Sequence, residues 1–441
     1  MPNNLQKYVV IGAGYTGLIA ALRLAEAGHR VTILERGPVV GGLASDFKVE
    51  GGSLERAYHH LFKTDTHIID MANELGVGEK LKWHDSSVSL YYDGHLYPFK
   101  GALDLIKFKP LSFINRIRAG LAVLYLQKTN NWEQFQNISA YDWMLKKAGK
   151  QVTEVIWEPL LKGKFDTYYD KVSMAWLWAR VHIRAQSRET GGEKLGYFEG
   201  GFQVFTDALV TKLEELGVEI KTGIEISGIR NTPTKKVKIV FADGKSQQFD
   251  SCIATTPSHV FAKLVDGHPV VKDSYLKQLN SIKYLGARLL IFSSTQDISP
   301  YYWHNVNDLD LPFLVFIHHT RLIDKKFYGG KYIYYIATYV PHDHELFISD
   351  DKKLEKLWFS SLKQVFPDFN EKKISEKHYF RFANAQHIVD AGYAKKIPAK
   401  KTPLPNVYLS NFSQIYPEDR GTNYAVRDGE AIAQLALGKK Q

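Results

Sequence analysis

Gly12, Gly14 and Gly17 stand in the spacing GxGxxG within Tyr8–Glu35, YVVIGAGYTGLIAALRLAEAGHRVTILE. The chemistry of that spacing is phosphate binding. The first glycine permits a tight turn, the second lets backbone approach a pyrophosphate, and the third lets a helix pack on the preceding strand. The pattern predicts a strand over Tyr8–Ile11, a helix over Thr16–Ala27 stopped by Gly28, and a second strand over Arg30–Leu34. The start of that helix, at Tyr15 and Thr16, presents free N–H groups and a positive dipole end. Glu35, followed by Arg36, is placed to accept a hydrogen bond from a ribose hydroxyl. A plain βαβ unit does not account for three glycines at this spacing together with the acid, so a dinucleotide site is expected.

Further glycine elements follow. Gly41-Gly42, with Leu43 and Ala44, makes a loop whose backbone can approach a ligand closely, suited to an extended FAD. Gly200-Gly201 leads into a helix expected over Val204–Leu216, and Gly421-Thr422 precedes a helix expected over Tyr424–Leu437. That last helix entry can offer N–H groups to an electron-rich flavin carbonyl. Between them, a strand expected over Gln248–Ala254 ends in the small residues Thr255 and Thr256, where a sheet's carboxyl edge meets a cofactor.

Tyr58, His59 and His60 place imidazoles among aromatics, able to donate, accept or titrate beside a flavin or an anion. Neighbours in an extended chain point to opposite faces, so one of the two histidines is expected to reach the site, with no means of choosing between them. Glu158–Phe165 and the helical run Trp176–Arg184, carrying Arg180 and Arg184, line an anion pocket or serve as structural ion-pair partners. His318 heads a second polar cluster and, with Tyr58, Arg180 and Arg184, is expected to bind substrate; no metal is expected there.

The elements that must position these groups divide the chain. After a helix expected over Asp65–Leu75 and a hairpin about Asp93-Gly94, the pattern is helical to about Arg188. Leu103–Leu126 is apolar with basic punctuation and faces one acid, Asp104. Residues 260–395 carry aromatic strands, clearest over Ala287–Ser293, Phe313–His318 and Tyr332–Val340, then a helix over Asp351–Val365. The alternation in KYIYYIATYV predicts one buried face and one face open to a substrate cavity. The 441 residues carry a net charge of +10, which favours an anionic partner: an acidic substrate or an anionic membrane surface, with nucleic acid not expected. Cys252 is the single cysteine, which excludes an internal disulfide and fits a reducing compartment. With no leader or spanning run, the expected location is cytoplasmic, peripheral to the inner face of the membrane.

The glycine elements, with the phrases ERAYHHLF, LGYFEGGF, PFLVFIHHT and IYPEDRGTNYAVRDG, resemble the flavin amine oxidase, protoporphyrinogen oxidase and phytoene desaturase superfamily. The resemblance is strongest to a protoporphyrinogen-oxidase-like branch of FAD-dependent oxidoreductases. It implies an α/β fold: a discontinuous Rossmann-like FAD-binding domain over 1–85, 195–260 and 400–441. An α+β substrate domain, 86–194 and 261–399, is inserted in it. It implies FAD held by Gly12, Gly14, Gly17, Glu35, Gly41 and Gly42, with Ile226 against adenine, Asn411 near the ribityl chain, and Gly421 and Thr422 at the pyrimidine side. Leu43 departs from the basic residue often found there, and Arg288 stands at the catalytic position where flavin amine oxidases place a lysine, a departure that argues against amine oxidation. The implied activity is hydride removal from an organic, acidic substrate, with His59 or His60 as proton acceptor or anion anchor. The GGS…YHHLFKTD stretch is also similar to UDP-galactopyranose mutases, which keeps a non-redox flavoenzyme as the alternative; a flavin-bearing binding protein is the third reading.

Overall fold

The computed structural model describes residues 5–189 and 192–439. The chain opens with strand β1 (Lys7–Ile11), helix α1 (Tyr15–Glu26) and strand β2 (Arg30–Leu34). A hairpin, β3 (Val88–Tyr92) and β4 (His95–Pro98), leads into helices that include α2 (Ala102–Lys107), α3 (Phe113–Lys128), α4 (Glu158–Phe165) and α5 (Met174–Gln186). Strands β5 (Glu219–Lys221) and β6 (Ser251–Ala254) follow. Then come β7 (Tyr284–Ser294), β8 (Trp303–Val306), β9 (Val315–His318), β10 (Tyr332–Val340), helix α6 (Asp351–Val365) and β11 (Ile374–His387). The last elements are β12 (Val407–Leu409) and α7 (Thr422–Ala436).

Two sheets organise these elements. The first is parallel, in the order β5-β2-β1-β6-β12, so distant stretches of chain are joined in one sheet. Strand β1 is apolar on both sides because Tyr8 and Val10 face one layer and Val9 and Ile11 the other. Helix α1 buries Leu18, Ile19, Leu22 and Leu24 completely, each worth roughly 1.5–3 kcal/mol. Helix α7 lies against α1 at backbone distance. A Cβ on Gly429 would come within 2.8 Å of both Ile19 Cβ and the Thr16 carbonyl.

The second sheet has seven strands in the order β11-β7-β10-β9-β8-β3-β4. Its period of two separates two faces. Leu289, Ile291, Ile333 and Tyr335 pack toward the parallel-sheet side, whereas Leu290, Phe292, Tyr334 and Ile336 pack under α6 on Leu354 and Trp358. Strand β10 is therefore covered on both sides over Ile333–Ala337, and of the face expected to open to a cavity only the half-buried Tyr339 near its end is left uncovered.

Two other expectations change. Gln248–Ala254 is two strands: Ser246–Phe249 pairs antiparallel with Val237–Phe241, and Ser251–Ala254 joins β1. Asp250 makes the break by accepting the Lys7 amide through its carboxylate at 2.8 Å. Strand β11 has no counterpart in the sequence reading, because it is an edge strand whose Lys377 and Arg381 interrupt the apolar pattern.

Candidate active site

The nucleotide end is built from backbone. Gly12 turns with φ +105°, and a Cβ there would meet Thr255 Oγ1 at 2.4 Å. A Cβ on Gly17 would lie 2.0 Å from the Gly12 carbonyl oxygen, so helix and turn touch without a side chain between them. Gly14 caps α1, whose first turn has neither a side-chain cap nor an acid, which leaves its amides for an anion. Gly41 donates its N–H to the Ala13 carbonyl at 2.8 Å, and a Cβ on Gly42 would sit 3.1 Å from Gly14 Cα. The two glycine loops thus meet backbone to backbone.

Glu35 spans the same turn, accepting from the Ala13 amide at 2.8 Å and the Gly37 amide at 2.6 Å. Each carboxylate oxygen keeps a second lone pair for a hydroxyl. Ile224 donates to the Glu35 carbonyl at 2.9 Å, which brings the strand beginning at Ile226 beside the acid. Arg36 is exposed, Leu43 half-buried and Ala44 buried in the short turn after Gly41. The Tyr15 side chain turns into the core, its hydroxyl 3.0 Å from Thr206, so that residue can offer its backbone alone. Thr255 uses its hydroxyl on the Ile11 carbonyl at 2.9 Å, closing β6 onto β1.

At the other end, Gly421 caps the 15-residue helix α7, again with no acid in the first turn. Asn411 is buried and its side chain is engaged by protein: it donates to the Thr256 carbonyl at 2.8 Å and accepts from Ser413 N–H and hydroxyl. Its side chain thus holds the loop before α7 in place.

Immediately before Gly421, Asp419 and Arg420 enter a cluster of side chains drawn from the seven-stranded sheet, the helical layer and the loop at Tyr58. Lys164 of α4 reaches Asp419 at 2.5 Å, and Arg180 of α5 reaches it at 3.1 Å. Arg420 donates to the Tyr339 hydroxyl of β10 at 2.9 Å, and the Tyr58 hydroxyl lies 3.3 Å from the same oxygen. Lys164 and Arg180 both lie near the ring of the fully buried Trp176, at 5.7 and 5.8 Å. Burial pushes the Asp419 carboxyl up, but Lys164, Arg180 and Arg420 outweigh it and hold the group well below the usual carboxylate range. Burial also raises the Tyr339 phenol, yet Arg420 and Lys164 more than offset it, and the net direction is down. Three cations thus face one carboxylate. Buried within the same region, Arg420 Nε, Trp176 Nε1 and both ring nitrogens of His387 have no hydrogen-bond partner among the described residues. Desolvated charge and orphaned donors are costly without an anion.

A family described as flavin containing amine oxidoreductase matches residues 15–436. The chain belongs to that family. The 15-cis-phytoene desaturase of Solanum lycopersicum is 20% identical over 436 residues, covering 93% of this chain and 74% of that protein. Coproporphyrinogen III oxidase of Staphylococcus aureus is 24% identical over 306 residues, covering 62% of this chain and 64% of that protein, a little under two thirds of its length. Among solved structures, a reduced UDP-galactopyranose mutase superposes with a TM-score of 0.78 at 15% identity, covering 98% and 96% of the two chains, a likeness of fold alone. The protein is an FAD-dependent oxidoreductase. The glycine cradle fits that cofactor, since added Cβ atoms at Gly12 and Gly42 would press on the surrounding backbone and Thr255. When bound, FAD supplies the two-electron sink.

In this flavin oxidoreductase both histidines of the pair lie in the loop before Leu61. His59 Nδ1 is 2.7 Å from the Ala57 carbonyl, which can only accept, so Nδ1 carries the proton and Nε2 is left as an acceptor. His60 Nδ1 is 3.1 Å from the Tyr302 hydroxyl and packs edge-on to Phe62 and Trp303. Burial lowers their pKa values to about 4 and about 3, helped by nearby arginines, so both rings are neutral at physiological pH.

Two expected site residues lie elsewhere. Arg288 follows Ala287 and precedes Leu289 on β7, so its side chain falls on the α6 face, where it pairs with Asp351 at 2.8 Å. It is on the opposite face of the sheet from Tyr339 and is corrected from a catalytic to a structural position. His318 is on that same α6 side, fully buried against Tyr334, with Nδ1 2.8 Å from the Ser299 carbonyl. It is likewise corrected from substrate binding to core. Arg184 is paired with the buried Glu193 at 3.2 Å, so its charge is committed within the protein. Lys164 and Trp176 fall within the two stretches expected to line an anion pocket, whereas Tyr339, His387, Asp419 and Arg420 were not predicted as site residues. The signal present in sequence was a basic stretch at 158–165 and the Asp419-Arg420 pair before a glycine-capped helix.

Proposed function

We propose that the oxidoreductase removes a hydride from an organic substrate bearing an acid group, which Lys164, Arg180 and Arg420 anchor. The observation that carries this reading is the cluster of three cations around Asp419, directly before the α7 N-terminus. In it, residues 1–85, 195–260 and 400–441 hold FAD through Gly12, Gly14, Gly17, Gly41, Gly42, Ile226, Gly421 and Thr422. Residues 86–194 and 261–399 hold substrate. Bound FAD would supply the acceptor for the hydride, and His59 Nε2, its tautomer set by Ala57, is placed to accept the proton lost from the neighbouring atom. Arg420 and Tyr58 orient the Tyr339 hydroxyl at the same wall. The reading includes a cytoplasmic location and peripheral contact with an anionic membrane, supported by the basic stretch after residue 100; no described helix is long and apolar enough to cross a membrane.

The same cations also suit a sugar diphosphate, which is what favours the mutase alternative. Anaerobic titration of the reconstituted holoenzyme separates the two. Stoichiometric bleaching of the flavin by an acidic substrate supports the oxidoreductase reading. Turnover of a nucleotide sugar that requires prior reduction and consumes no electron acceptor overturns it.

A further inference from the structure

Helix α3 is packed inside out. The residues it turns inward are Ala119, Ala122 and Leu126, whereas Phe113, Ile114, Ile117, Leu121 and Leu124 are exposed, Ile114 to 76%. The preceding helix α2 adds Leu103 and Ile106, exposed to 71% and 55%. The outward residues at 113, 117, 121 and 124 recur at helical spacing, so they form one stripe along the 16-residue helix. Soluble surfaces scatter such residues singly; a contiguous stripe marks a contact.

Charge says what covers it. Lys107, Lys109, Arg118 and Lys128 are exposed around the stripe, and Lys146, Lys147 and Lys150 extend the basic margin. The one acid between residues 100 and 130 is Asp104, whose carboxylate is used on the Lys100 and Gly101 amides. Arg116 pins α2 to α3 by donating to the Ile106 and Leu111 carbonyls, both at 2.8 Å, which holds the two apolar ends side by side. An apolar stripe with a basic border is the pattern of a helix lying in the interface of an anionic bilayer.

We infer that α2 and α3 form a monotopic docking face, with the α3 stripe entering the acyl boundary and the bases on lipid phosphates. This rests on the peripheral-membrane part of the proposed function and narrows it to one face. The face is coupled to the site through α5. Trp178 Nε1 donates to the Thr129 carbonyl at 2.7 Å, and His182 meets the Leu126 carbonyl at 3.3 Å, on the helix that carries Trp176 and Arg180. The cationic cluster therefore lies one helix away from the bilayer.

The test uses the full-length holoenzyme and vesicles of phosphatidylcholine with or without phosphatidylglycerol. The native chain floats with the anionic vesicles. The triple variant I114S/I117S/L121S loses affinity about 100-fold, while K107Q/K109Q loses about 30-fold. Because Cys252 is buried, Ile117→Cys provides the exposed thiol for an environment-sensitive dye, whose emission shifts to the blue on anionic vesicles. No flotation of the native chain overturns the peripheral reading itself. Flotation that survives in the triple variant, or occurs without a dye shift, leaves that reading standing and overturns this face. A dye shift that follows protein concentration without lipid assigns the stripe to a second copy and also overturns it.

Discussion

At Gly12–Gly17 the atoms offered to a ligand are backbone amides within one strand–turn–helix, whereas at Asp419 they are charges on side chains 255 and 239 residues away. The first region has no room for an added atom at Gly12 or Gly17. The second tolerates no loss of charge balance. A steric site fails when volume is added, and an electrostatic site fails when a partner is removed.

The largest expected effect is therefore at Gly17. Gly17→Ala places Cβ against the Gly12 carbonyl, an atom that cannot rotate away, and the purified protein should be colourless and destabilised by about 3 kcal/mol. Gly14→Ala is the matched control. Its φ is −74° and its Cβ would lie 3.9 Å from Gly42 Cα, so the variant should fold and bind flavin more weakly. Equal behaviour of the two in flavin content and melting would break the steric account.

On the electrostatic side, Arg180→Met should lower kcat/KM for an acidic substrate about 100-fold with an unchanged flavin spectrum. A loss confined to flavin content would move Arg180 out of the substrate site. Asp419→Asn strips the carboxylate from three cations, and its urea midpoint should report a loss of about 2–3 kcal/mol, partly restored by added phosphate. The folded pKa of Asp419 lies below the ordinary 3.8, so this stabilisation is present above that value and fades as pH falls through the lower one. The deficit of the Asn variant should shrink in acid.

The smallest expected effect lies outside both regions, at the buried Glu55. Burial pushes Glu55 up to about 7, although the Phe202 amide and Tyr197 hydroxyl both donate to it at 2.7 Å. Its contribution to stability is complete below the ordinary 4.5 and is lost as pH rises through about 7. Glu55→Gln should flatten the decline of Tm across that window.

The contrast also explains what was legible. Three glycines, an acid and a helix start obey local rules, so β2 was placed at Arg30–Leu34 and α6 at Asp351–Val365 with the bounds the structure shows. Arg288 and His318 failed for a reason equally physical: a residue's chemistry is readable, but which side of a strand it faces depends on what covers the sheet. The α6 cover, supplied by residues 351–365, took both. Strand β11 escaped notice because an edge strand may carry charge where a central one may not.

Sequence alone determined the phosphate turn, because backbone geometry near a ligand is dictated by residues adjacent in the chain, and through its resemblance to a known superfamily it implied the flavin and the class of chemistry. Tertiary structure alone decided that Lys164, Arg180, Tyr339 and Asp419 come together in one cluster, that His59 commits Nδ1 to the Ala57 carbonyl, and that α3 turns its large side chains outward. Each of those depends on distances between residues far apart in sequence, and Coulomb energy and burial are functions of distance in space.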